Sequence, residues 1–140
     1  MRICIDSCVF ISAFQQDQSP AAQLLGLIGP PLVLVIPRLI GLEVTRNLRT
    51  PQQVRLFHGL FRARDFAFMI DEPVPRALVE KYVHLGLPEK ADAFIGAFAE
   101  WMLVRYLVSD NRHFLRDLHT DAFTVLDGAE FLARWQRETL

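Results

Sequence analysis

Apolar positions along the chain alternate between two patterns. Short continuous runs occur at Ile3-Cys4-Ile5, Leu32 to Ile36, Phe66 to Ile70, Tyr106 to Ser109 and Phe123 to Leu126. Runs of that length, several rich in β-branched residues, are expected of strands buried on both faces of a parallel sheet. Between them the spacing changes to the helical one. The first strand leads into a short helix over Val9 to Phe14, and Ser19-Pro20 supplies an N-cap and a proline at N1 for a helix through about Ile28. Helical spacing returns from Arg38 to Arg49. A further helix starts at Thr50-Pro51 with Val54, Leu56, Phe57, Leu60 and Phe61 as its apolar stripe. Pro75 to His84 is helical and is stopped by Gly86; Pro88 to Val104 predicts a longer helix. A short helix over His113 to Leu118 and a terminal one from about Ala129 complete the series. Strands alternating with helices through short connections imply right-handed βαβ units. The pattern predicts an α/β three-layer sandwich, residues 1–140 as a single domain, with a mainly parallel sheet of about five strands flanked by helices.

Composition narrows the functional classes. With 51% hydrophobic residues the chain can bury a sizeable core, and 15 Lys and Arg against 16 Asp and Glu argue against a protein that coats nucleic acid generally. A local basic patch stays open. No secretory signal precedes the first strand, and the apolar run from Pro30 to Leu42, broken by Pro37 and Arg38, is too short to span a bilayer. A soluble, cytoplasmic protein with no membrane partner is expected. Cys4 and Cys8 form no CxxC motif and read as small core residues. His58, His84, His113 and His119 lack the spacing of a zinc site.

Polar residues stand out where the pattern is otherwise apolar. Asp6 ends the first strand, at the sheet edge where α/β proteins bind ligands, although an Asp there is also an ordinary N-cap. Glu43 lies among Ile40, Gly41, Leu42 and Val44, where pairing with Arg46 or Asn47 is the plain alternative. Asp92 sits one turn into a helix whose dipole favours any acid, yet Ala91, Ala93, Phe94, Ile95 and Gly96 leave it little polar face. Asp110-Asn111 ends the fourth strand. If the chain stays extended there, Asn111 shares a face with Ser109 and Asp110 points away; an immediate turn after Ser109 would swing Asp110 inward. Carboxylates gathered from separate elements are what Mg²⁺ or Mn²⁺ requires, so the residues alone lead to a candidate acidic metal site.

Four ordered segments carry a resemblance: Ile5-Asp6-Ser7 before an apolar helix, Pro37 through Leu42-Glu43-Val44, Lys90 through Asp92 to Ala97, and Leu107-Val108-Ser109-Asp110-Asn111-Arg112-His113-Phe114-Leu115. Together they resemble a PIN domain, the compact metal-dependent nuclease fold of VapC-type toxins, over essentially the whole chain. The resemblance implies a metal-dependent endoribonuclease, the toxin of a type II toxin–antitoxin pair. Asp6, Glu43 and Asp92 would be its active-site acids, with Asp6 and Asp92 holding Mg²⁺ or Mn²⁺ and Glu43 binding the ion or orienting water. Ser109 with Asn111 or Asp110 would complete the polar shell. Ser7, Arg46, Arg49 and Arg112 are candidates for contact with the RNA substrate. A small antitoxin covering the acidic pocket, with an inserted Arg, and a homodimer through apolar helix faces are also implied. Two departures from the family pattern stand in this sequence. Ser7 and Cys8 occupy positions where many relatives have Thr and Asn, and Asn111 occupies the usual place of a fourth acid. The alternative function is a catalytically impaired PIN-like module that binds RNA or protein. A phosphoryl-accepting receiver domain lacks its Asp pair at the first strand and its strand-end Lys.

Overall fold

The computed structural model describes residues 1–62, 65–87 and 90–139. Its apolar runs become strands β1 (Arg2–Ile5), β2 (Val33–Pro37), β3 (Ala67–Ile70), β4 (Tyr106–Val108) and β5 (Thr124–Leu126). All neighbouring pairs are parallel, in the order β3-β2-β1-β4-β5. Parallel neighbours need crossovers, and these are α1 (Ser7–Gln15), α2 (Pro20–Gly26), α3 (Arg38–Asn47), α4 (Pro51–Arg62), α5 (Arg76–His84) and α6 (Lys90–Trp101). A π-helical turn (His113–Asp117) and α7 (Gly128–Thr139) complete the order. The expected α/β architecture, a five-stranded parallel sheet flanked by helices, is the one that forms. Ile3, Cys4, Ile5, Leu34, Ile36, Leu107 and Val108 are fully buried, as central strands covered on both faces must be. On α4 only Phe57 is buried, meeting Phe10, Phe14 and Phe61 edge to face and fastening the helix to α1.

Three features differ from the sequence pattern: the end of one helix, the type of another and the burial of one aromatic ring. The start proposed at Pro88 lies outside the described residues, but the far end of α6 comes three residues before Val104. Leu103 adopts a left-handed φ of 56°, the Val104 N–H closes onto Ala99 O at 3.0 Å, and Arg105 then pairs with Arg2 O beside β1. Apolar periodicity does not reveal such a cap when a Leu fills the place usually taken by Gly. The short helix at His113 is a single π turn, closed by the Leu118 N–H on His113 O at 3.0 Å. Phe94, placed by its neighbours among core residues, is only half-buried, whereas Phe98 one turn later is fully buried.

The strand order determines where chemistry can sit. From β1 the chain builds outward through β2 to β3, then crosses to the other side of β1 to lay down β4 and β5. Helical connections therefore leave β1 and β4 in opposite directions, and a crevice opens beyond their carboxyl ends. Ile5 is in register with Val108, and the Asp6 N–H donates to Val108 O at 2.9 Å. Asp6 and Ser109, the next residue of each strand, are thereby brought to the crevice side by side.

Candidate active site

Asp6 is both the cap and the candidate acid considered from the sequence. Its Oδ1 accepts the Ser7 N–H at 2.8 Å at the start of α1, while its Oδ2 accepts the Ser109 hydroxyl at 2.7 Å. Ser109 is wholly buried, and its oxygen accepts the Asn111 N–H at 3.0 Å, which directs the hydroxyl proton toward Asp6. Burial raises the Asp6 pKa above the ordinary carboxylate value. The Ser109 and Ser7 hydrogen bonds oppose that rise, and the charges of Glu43 and Asp92 add to it.

Glu43 enters from α3. Its carboxylate Oε2 accepts the Ser7 hydroxyl at 2.7 Å, and the pairing anticipated with Asn47 is instead a bond from that amide to the Glu43 backbone carbonyl. Asp92, in the first turn of α6, receives the Asn111 side-chain amide at 3.5 Å. These acids surround a cavity of about 280 Å³ lined by Asp6, Ser7, Cys8, Glu43, Asp92, Ile95, Asp110 and Asn111. The four strand-end and helix-borne segments singled out in the sequence therefore meet. Of these eight described lining residues four are carboxylates and none is basic. A larger cleft of about 770 Å³, beside Lys81, Glu100 and His119, holds none of these acids.

The remaining candidates separate by position. Arg46, Arg49 and Arg112 are exposed, and none of them lines the pocket. Both Asp110 and Asn111 line it, because the chain leaves β4 at Val108 and turns at Ser109 instead of staying extended. Partial burial and then the charge of Asp127 raise the Asp110 pKa. Cys4 is buried as expected, but Cys8 is not a core residue: it is half-buried and lines the pocket, its Sγ 3.7 Å from Asp6 Oδ2. Burial, reinforced by Asp6, pushes its thiol up to about 11. Apolar patterning cannot distinguish a core Cys from one facing a cavity, although placement two residues after Asp6 puts it at the same sheet edge.

Among the described residues no three His, Cys, Asp or Glu side chains form a closed metal-ligand cluster. Each of Asp6, Glu43 and Asp92 instead faces a neutral donor, Ser109, Ser7 and Asn111 respectively. The donor chemistry nevertheless fits a hard divalent cation: oxygen ligands from three elements whose charges repel one another.

The burial of Asp6, with the repulsion from Glu43 and Asp92 added to it, has a measurable consequence. A carboxyl whose pKa is raised by folding contributes stability that is complete below the unfolded value and is lost as pH rises through the folded one. Asp6→Asn should therefore stabilise the metal-free protein near pH 7, with the advantage shrinking as pH falls toward the ordinary value of 3.8. Denaturant melts across that pH range test this; an advantage that grows toward acid would contradict it.

No family model matches the sequence, and no curated protein matches it. Solved structures do. The chain is similar to one in the crystal structure of VapBC2 from Rickettsia felis bound to a DNA fragment from their promoter, with 15% identity and a TM-score of 0.63 over 91% of this chain and 98% of that one. A chain of a toxin–antitoxin complex from Klebsiella pneumoniae is 19% identical, with a TM-score of 0.60 over 90% and 97%. A chain of FitAcB from Neisseria gonorrhoeae is 20% identical, with a TM-score of 0.54 over 91% and 98%. At these identities the likeness is one of fold, and the PIN-like fold implied by the sequence motifs is the fold this chain has.

Proposed function

We propose that the protein is a Mg²⁺- or Mn²⁺-dependent endoribonuclease, formed by one PIN-like domain, and the cytoplasmic toxin of a type II toxin–antitoxin pair. The observation that supports this most is the convergence of four carboxylates at the switch point of a sheet shared with a chain of a toxin–antitoxin complex. A bound divalent ion would activate a water and neutralise charge developing on an RNA phosphodiester. Asp6 and Asp92 would hold the ion, and Glu43 would share it or orient the water. Ser109 keeps Asp6 turned into the pocket, and Asn111 braces Asp92. The exposed guanidinium groups of Arg46 and Arg112 are suited to phosphates of the flanking RNA rather than to the scissile one. A pocket lined by four carboxylates also suits a partner's arginine, which is how a small antitoxin would occlude it. Exposed Leu42 and Leu56 are candidates for the apolar contact between two copies. No described helix is long and apolar enough to cross a membrane.

Metal should bind the folded state and raise its stability, by about 2.7 kcal/mol when the ion is at a hundred times its Kd. Thermal melts with Mg²⁺ or Mn²⁺ measure this gain. It should vanish in Asp6→Asn combined with Asp92→Asn, and an equal response of wild type and double variant would refute the site. Metal-dependent stabilisation without RNA cleavage would favour the non-catalytic module.

A further inference from the structure

Ser7 lies between two of the acids and touches both. Its backbone N–H donates to Asp6 Oδ1 at 2.8 Å, and its hydroxyl donates to Glu43 Oε2 at 2.7 Å. One residue at the first position of α1 thus fixes the spacing of a carboxylate from β1 relative to one from α3. A serine hydroxyl has a single proton, and here Glu43 takes it, so the hydroxyl has none to offer an RNA phosphate. We propose that Ser7 is a positioning residue that holds Glu43 beside Asp6 with one carboxylate oxygen engaged and the other left for the ion. This inference rests on the reading of the pocket as a metal site.

Positioning through Glu43 has a distinctive signature. Partners of metal ligands typically change affinity by about tenfold or more when removed, so Ser7→Ala should weaken Mn²⁺ binding about tenfold in calorimetric titration. Ser7→Thr, which keeps the hydroxyl, should restore it. In a Glu43→Ala background Ser7→Ala should have no further effect, because the group it positions is gone. Unchanged Mn²⁺ affinity in Ser7→Ala, or an undiminished loss in the Glu43→Ala background, would overturn the proposal. Should the wild type bind no Mn²⁺, the metal reading itself fails, and denaturant melts of wild type, Ser7→Ala, Glu43→Ala and the double variant without metal then decide the role of Ser7. Non-additive destabilisation would still assign Ser7 to Glu43, whereas strict additivity would reject it.

Discussion

Asp92→Asn should lower RNA cleavage by on the order of a thousandfold, since a metal site contributes several kcal/mol of transition-state charge stabilisation and each 1.36 kcal/mol is tenfold in rate. The circular dichroism spectrum and the cooperativity of melting should not change. Asn has the shape of Asp, and Asp92 is a half-buried residue in the first turn of α6, so no cavity is opened. The charge lost at the helix N-terminus costs at most about 1 kcal/mol, and relief of repulsion with Asp6 offsets it. Phe98→Ala provides the opposite pattern. It removes a fully buried ring and should destabilise the fold by about 3–5 kcal/mol. Phe94→Ala should cost less, because Phe94 borders an open groove with Leu39, Leu42 and Ile70. Cleavage measured on folded protein separates the two classes; full activity in folded Asp92→Asn would remove Asp92 from the catalytic acids.

The fold was legible because each strand is a continuous apolar run and each helix has its own period. Two buried faces leave a strand no polar alternation, and Ile3-Cys4-Ile5 and Leu107-Val108 show none. Strand order was not legible in the same way, because a parallel sheet of identical composition can be wound in several orders. The site was legible as residues but not as contacts. Asp6, Glu43 and Asp92 are conspicuous among apolar neighbours, and the structure brings all three to one pocket. What linked them was hidden: Ser7 and Ser109 are short polar residues whose partners lie 36 and 103 positions away in the chain. Local spacing contains no information about such partners. Cys8 was hidden for a different reason, since a thiol is apolar enough to pass for core.

The fourth motif shows where strand periodicity stops being a guide, and it supports a further experiment. The period-two argument assumed extended backbone past Ser109, but β4 ends at Val108, and the Asn111 N–H folds back onto the Ser109 hydroxyl. Asp110 and Asn111 can then both face the cavity, yet their attachments differ. Asn111 donates its amide toward Asp92 at 3.5 Å, and its Oδ1 accepts the His113 N–H at 3.0 Å at the start of the π turn. Asp110 is exposed, and besides this cavity it borders a second one that Asp127 also lines. Asn111→Asp would replace a donor to Asp92 with a second negative charge. The metal-free protein should lose about 1 kcal/mol, the ordinary worth of a hydrogen bond, while the stabilisation produced by added Mg²⁺ or Mn²⁺ should increase, because the ion gains a charged ligand in place of a neutral one. Asp110→Ala should do the reverse on a smaller scale, relieving repulsion with Asp127 and leaving cleavage within about twofold, because Asp6, Glu43 and Asp92 keep their bonds to Ser109, Ser7 and Asn111 without it. Melting curves with and without metal, followed by cleavage assays on both variants, distinguish the two positions. Severe loss of cleavage in folded Asp110→Ala, with Asn111→Ala nearly silent, would move the fourth role from Asn111 to Asp110.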